Sequence, residues 1–484
     1  MNEEYSSLKS DREQHFLKSE RARRPELFIY PLAIDDEKTL EHIGIEHIFG
    51  ERPSGHLKIF PEDFIVEEIA KDGTISTINP AAEDTVDTPR DLGTPGKTVW
   101  ATLVKIGEDT VEVVNELGAR LNIDKKQIGY AGIKDKYAIT AQQISIRNVA
   151  EEQLRAVRVP HFFLKDIFSG KGALQVGNLE GNRFSIFIRT VEHSERASIA
   201  TTLAILAKQG FWNFFYTQRF GTPRLISHIQ GRLVLQGRYE EAIKTSLTMP
   251  SVREIPYFRA LREELAGAWG EWDTLLKKLE QFPYSFRNEQ KIITHLADRP
   301  GDFIGALHRI PDQVKLWVYA YTSFLFNKKL SSLITTEAEV PRELPLATES
   351  TPDAWRWYED ILRADGIRPP FIPLRNFPFI QRPARGIETA KGVKLNGWEI
   401  TDQGVALDFS LDKGCYATTF LAHLFMLSSG QPVPEGVSLD EIDTKKILGT
   451  GTIAELRHSN FKKVFEERNQ TEIMIAPLPH NDNA

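Results

Sequence analysis

The chain has one cysteine in 484 residues, Cys415. An intrachain disulfide is therefore excluded, which fits a reducing compartment and leaves stability to packing. There is no pair of Cys or His at zinc spacing, no Walker loop, and no dinucleotide-type glycine pattern after a strand. No metal and no organic cofactor is expected on that basis. Long apolar runs are missing too. The richest, Val314 to Phe326, is too short and too interrupted to cross a bilayer. The first residues, Met1-Asn2-Glu3-Glu4-Tyr5-Ser6, are polar and include no apolar signal region. The expectation is a cytoplasmic protein with no membrane partner, and no obligatory protein partner is evident.

Net basic charge is also lacking: 60 Lys plus Arg face 67 Asp plus Glu, a formal charge of −7. Phosphate contacts need cations, so a chain of this balance does not grip a polyanion with its whole surface. The charge is unevenly spread, however. Arg120 to Arg189 holds 12 bases against 6 acids, while Glu67 to Asp91 holds 7 acids against 2 bases. The basic segment is compatible with nucleic acid without establishing it.

What is present is an ordinary globular composition, 41% hydrophobic and 26% charged, in a chain long enough for two domains. The apolar pattern predicts strands within Lys58–Ile69, Lys97–Lys105, Ile139–Arg147 and Phe184–Arg189. Helical spacing marks Thr110–Leu121, Glu151–Val157 and Ser194–Gln209. These elements do not alternate regularly, so the fold class expected is α+β, a mixed or antiparallel sheet with flanking helices. From about Gly210 helical spacing dominates, over Gln230–Lys244, Asp273–Leu279, Asn288–Leu296 and Pro311–Leu330. Strand patterns return after Pro383, most clearly at Val405–Phe409. Residues 71–96 and 331–352 read as polar loops.

The most informative stretch is Gly129-Tyr130-Ala131-Gly132-Ile133-Lys134-Asp135-Lys136-Tyr137-Ala138-Ile139-Thr140. It sets one aspartate between two lysines at the mouth of a strand. Nearby cations favour the ionised carboxylate, the form that a nucleophile or general base requires. Taken alone, the segment reads more readily as a turn aspartate between solvated lysines.

It has company in a fixed order. Upstream is Gly55-His56-Leu57-Lys58-Ile59-Phe60-Pro61-Glu62-Asp63-Phe64-Ile65-Val66-Glu67-Glu68. Downstream come Glu180-Gly181-Asn182-Arg183-Phe184, Asn213-Phe214-Phe215-Tyr216-Thr217-Gln218-Arg219-Phe220-Gly221, and Leu411-Asp412-Lys413-Gly414-Cys415-Tyr416-Ala417-Thr418-Thr419. From about Gly44 to Leu424 the series resembles the TruD family of RNA pseudouridine synthases. The resemblance implies a pseudouridine synthase-like fold interrupted by a mostly helical TRUD insertion domain. The domains expected are an N-terminal extension (1–43), a catalytic domain in two parts (44–209 and 383–429), the insertion (210–382) and a C-terminal extension (430–484). It also implies a cofactor-free isomerase acting on tRNA, with uridine 13 as the expected target.

By the same resemblance Asp135 is the catalytic carboxylate and Lys58 the base that keeps it ionised. Phe184 would stack on the target base, as an enzyme working on an extracted base requires, and Asn182 would meet the uracil edge. Glu68 is a supporting residue at the site or a pin for a neighbouring strand. Lys134 and Lys136 are candidate RNA contacts or merely flank a turn, Arg219 is equally a candidate RNA contact or an interdomain hydrogen bonder, and Thr140 and Gln142 read as structural hydrogen bonders. Tyr216 stands where the family often has glycine, and Ala422-His423 where it often has Arg-Glu. Two other readings compete: a non-catalytic RNA-binding or RNA-folding protein of the same fold, and a hydrolase pairing Asp135 with Glu68.

Overall fold

The computed structural model describes residues 2–80, 98–190, 196–347, 352–380, 386–459 and 461–470. The polar stretch expected at 71–96 therefore lies largely outside the described residues, as does the end of the one expected at 331–352.

Local sequence explains the elements around the Asp135 motif. The helix Thr110–Leu121 starts where the Asp109 carboxylate accepts the Val111 N–H at 2.7 Å, and it stops at Asn122, whose φ of 53° is left-handed. Its buried side chains Val113, Val114, Leu117 and Leu121 form one stripe. The strand Ile139–Arg147 is the expected one. Lys58, expected within a strand, instead precedes a short 3-10 turn at Pro61–Asp63. The strand itself begins at Phe64 and runs to Ile69.

Among the described residues eleven strands form one mixed sheet. Its centre runs Gly404–Asp412, Gly181–Arg189, Phe64–Ile69, Ile139–Arg147, Thr98–Ile106, Phe162–Gly170. Phe64–Ile69 pairs parallel with Ile139–Arg147, while the other neighbours in this series are antiparallel. Close backbone approach requires glycine at Gly181, where a Cβ would lie 2.2 Å from the Leu411 carbonyl oxygen.

Register decides what each face carries. Cross-strand partners share a face, so Val66, Phe184 and Phe409 lie together, and so do Val66, Thr140 and Lys105. Two residues along, Glu68, Asn182 and Leu411 do the same. At one end of this face an apolar cluster joins Phe64, Phe184, Leu407 and Phe409 to Phe420 and Leu421. At the other end Ala101, Leu103, Ile144 and Ile146 pack on the helix Thr110–Leu121. Between the two lies a polar strip: Lys105, Thr140, Gln142, Glu68 and Asn182. The opposite face is closed by the chain's last described segment, through Ile453, Leu456, Phe461 and Phe465.

After the 3-10 turn Thr217–Phe220 the chain builds a helical unit with its own core. The helical pattern expected over Gln230–Lys244 is two helices, Ser227–Leu235 and Tyr239–Thr248, broken at Gly237 with φ 76°. The helix Pro311–Thr335 ties the two units together. Trp317, Val318 and Tyr321 sit in the helical core, and Ala320, Phe326 and Leu330 in the sheet core.

Both terminal segments are built into this body. Phe28 is buried in the helical core, Leu40 and Ile43 in the sheet core. Lys445 makes a fully buried ion pair with Glu67 at 2.7 Å. Among the described residues no helix is long and apolar enough to cross a membrane.

Candidate active site

Asp135 lies in the short loop between the strands Ile128–Tyr130 and Ile139–Arg147, at the edge of the polar strip. Its Oδ1 accepts from Lys58 Nζ at 2.5 Å, across 77 residues of sequence. Asp135 is the more open partner, its side chain 45% exposed against 21% for Lys58. The Lys58 ammonium also lies 4.0 Å from the centroid of the Phe64 ring, a cation–π contact. Lys58 itself has φ 58°, a left-handed conformation that costs a non-glycine residue about 1–3 kcal/mol. Such strain persists only where surrounding contacts over-determine it. Here those contacts aim the ammonium at Asp135.

The backbone under Asp135 is held by a residue that the sequence motif did not single out. Lys105 is completely buried, and its Nζ donates to the carbonyls of Asp135 and Glu108, each at 2.7 Å. Burial pushes this ammonium down to about 7, against the pull of Asp135, Asp109 and Glu108. Beside it, Thr110 Oγ1 accepts the Lys134 N–H at 3.0 Å and donates to Gln142 Oε1 at 3.2 Å, while Gln142 Nε2 donates to the Gly132 carbonyl at 2.9 Å. Gln142 thus has the structural role expected of it. Thr140 Oγ1 is buried without a partner. A signal for Lys105 does exist in the sequence: it extends the alternating apolar face Val99, Ala101, Leu103.

Lys134 is not a hand for phosphate. Its Nζ lies 2.6 Å from Glu68 Oε2, with side chains 5% and 1% exposed, so the carboxylate 66 residues upstream has taken it inside. Glu68 Oε1 accepts the Gln143 N–H at 3.1 Å, pinning the neighbouring strand. We expect Lys134→Met to leave Glu68 buried and unpaired at a cost of about 3–5 kcal/mol. A lowered urea midpoint with an unchanged m-value would register it, and Glu68→Gln in the same chain should recover most of the loss.

Lys136 is likewise occupied, by Glu112 at 3.4 Å and Glu108 at 3.9 Å. Only Arg219 of the three candidate RNA contacts has no carboxylate partner among the described residues. Its guanidinium rests over Phe215 at 5.2 Å, and the adjacent Gln218 Nε2 donates to Thr418 Oγ1 at 3.0 Å.

Phe184 is 6% exposed, less open than an aromatic platform was expected to be. One side stacks on Phe409, ring centroids 5.2 Å apart, and Phe64 meets it edge-on at 6.3 Å. Asn182 projects from the same strand face, and its Oδ1 is buried without a partner.

Other reactive groups are disarmed. Burial pushes the Cys415 thiol up to about 11 and the His56 imidazole down to about 4. Tyr137, beside Asp135, is raised far above its usual range by burial and stays protonated. The hydrolase reading needs Glu68 as a second acid, and Lys134 neutralises it. As for metals, Glu37, Glu41 and His47 are the one group of ligand types gathered within 4.8 Å among the described residues. His47 Nδ1 is already hydrogen-bonded to Glu37 at 2.5 Å. What remains at this site is one accessible carboxylate on a braced loop, paired with a cation that itself lies over the Phe64 ring.

A family model described as tRNA pseudouridine synthase D (TruD) matches residues 43–345. The chain is 30% identical over 342 residues to a protein of Methanopyrus kandleri named probable tRNA pseudouridine synthase D, covering 66% of this chain and 84% of that one. It is 30% identical over 410 residues to a protein of the same name from Archaeoglobus fulgidus, covering 81% and 90% respectively. In fold it resembles the crystal structure of the TruD protein of Methanosarcina mazei, with a TM-score of 0.60 at 23% identity, across 80% of this chain and 97% of that one.

Proposed function

This chain belongs to the TruD family of tRNA pseudouridine synthases and is an RNA isomerase, and we propose that it acts on uridine 13 through Asp135. The observation that carries the site assignment is the Lys58–Asp135 pair, open to solvent on the carboxylate side. The reaction breaks the N1–C1′ bond of uridine, turns the base over and joins C5 to C1′. The hydrogen leaves C5 and N1 gains one, so no redox partner or energy source is needed. An ionised Asp135 serves this chemistry either by attacking ribose or base, or by taking the proton that starts glycal formation.

In this reading Lys58 pairs with the Asp135 carboxylate and aims it. Phe184, with Phe64, is the floor beneath the extracted base. Asn182 Oδ1, buried and without a partner, accepts from the uracil N–H. The RNA lies across the sheet and the helical unit, with Arg219 meeting its backbone. Recognition then rests largely on RNA shape and backbone, with one base flipped.

The test is purified protein with tRNA transcripts carrying uridine or cytidine at position 13, pseudouridine being mapped by site. Product at 13 from the uridine transcript alone is the expected result. Product at another uridine would overturn the position and keep the chemistry.

A further inference from the structure

Three residues beyond Arg219 the chain lines a second, partly open polar space. A cavity of about 170 Å³ lies in the helical unit, lined in part by Thr222, Arg224, Gln230 and Arg262. Both arginines reach the C-terminal end of the helix Tyr239–Thr248, but only one is satisfied. Arg262 Nε lies 2.9 and 3.0 Å from the Glu254 carboxylate oxygens, and its Nη1 donates to the carbonyls of Ser246 and Leu247. Arg224 donates only through Nη1, to the carbonyls of Ser246 at 3.0 Å and Met249 at 3.1 Å. Its Nε and Nη2 have no hydrogen-bond acceptor among the described residues, and it forms no ion pair with any described carboxylate.

Two further polar groups facing this space lack partners too. Gln230 is 2% exposed, and its Nε2 has no hydrogen-bond partner. Thr222 Oγ1 is buried and equally unmet. An unmet buried donor costs about 1–3 kcal/mol, so a cavity with two such donors beside the free edge of a half-buried guanidinium calls for an acceptor. The charges lining it are Arg224, Arg262 and Arg287 against Glu254 and Glu289, one positive in excess. That excess equals the charge of one phosphodiester, and the Nε–Nη2 edge of a guanidinium matches two phosphate oxygens.

We propose that this cavity is a phosphate-group site, in which Arg224, Gln230 and Thr222 donate to the oxygens of one phosphate. The phosphate comes either from the RNA backbone or from free inorganic phosphate. The RNA source rests on the tRNA reading above; the site itself does not. Consistent with an unneutralised guanidinium, burial and the neighbouring Arg262 push Arg224 down to about 9.

The experiment compares full-length wild type, Arg224→Met and Gln230→Leu. Thermal melts are run against inorganic phosphate at constant ionic strength set with chloride, and tRNA affinity is measured across a salt series. Wild type should show a saturable rise in Tm with phosphate, absent in both variants. Arg224→Met removes a cap as well as a ligand. Gln230→Leu controls for that, because its amide holds nothing in the fold and its phosphate-free melt should equal or exceed wild type. For an RNA phosphate, Arg224→Met also lowers the slope of log K against log salt by about one. A saturable melt effect with an unchanged slope assigns the site to free phosphate. No saturable effect together with an unchanged slope in both variants means the cavity holds water only, and overturns the proposal. A tRNA that fails to bind wild type would strike the tRNA reading and leave the melt result standing.

Discussion

We expect Asp135→Asn to lower pseudouridine formation by about 10³-fold in single-turnover rate, while tRNA binding changes less than about threefold. That figure is the middle of what a positioned carboxylate supplies to proton transfer, about 10² to 10⁴-fold, three decades being roughly 4 kcal/mol of barrier. Asparagine has nearly the same shape, so the fold has no reason to change. The loop is held through its carbonyls by Lys105 and through Thr110 and Gln142, none of which touches the Asp135 carboxylate. What the substitution removes is the charge that Lys58 faces and the lone pair that reacts. A rate within tenfold of wild type would show that Asp135 is not the reacting group. An inactive wild type that binds tRNA as tightly as the variant would favour the non-catalytic reading.

The second large effect concerns Lys105. Lys105→Met takes away the donor to the carbonyls of Asp135 and Glu108. The Asp135 loop then loses its brace from below, and a displacement of about 1 Å at a reacting group costs on the order of 10²-fold. We therefore expect a fall of about 10² in single-turnover rate at pH 6, with little change in tRNA affinity. The pH profile separates this from a general loss of stability. Burial lowers the folded ammonium from 10.5 to about 7, so between about 7 and 10.5 the unfolded chain binds more protons at this residue than the folded one. Stability from this group therefore rises with pH across that window, by up to about 1.4 kcal/mol per unit. Its grip on the loop changes the other way, since the neutral amine has one donor fewer. Wild type should lose rate as pH rises through about 7 while it resists urea better, and Lys105→Met should lack both trends. A variant that keeps the wild-type pH profile would show that Lys105 is structural only.

Much of the site was legible because its signals are local. The periodicity of Thr110–Leu121 and Ile139–Arg147 places a helix and a strand around the Asp135 motif, and both elements have the expected bounds. Asp135 between lysines reads as an ionised carboxylate without any tertiary knowledge. The α+β class follows from elements that fail to alternate. Other features were hidden for a common reason: they depend on which distant segment buries a charge. Lys134 and Lys136 look alike in sequence, yet Glu68 draws one into the interior and Glu112 holds the other near the surface. Lys58 reads as a strand lysine until its left-handed backbone turns it toward a loop 77 residues away.

The terminal segments make the same point at larger scale. Residues such as Phe28, Ile453, Phe461 and Lys445 sit in polar, weakly periodic stretches, and only the assembled cores show them buried. By itself, then, the sequence determined the fold class, the family resemblance and the candidate carboxylate, because helix and strand periods and motif spacing are properties of neighbours along the chain. The tertiary structure decided which lysine meets which acid, how far Phe184 is buried, and where unmet donors gather around Arg224. Those outcomes turn on desolvation, and the cost of burying a charge or an amide is set by partners that only the folded chain brings near.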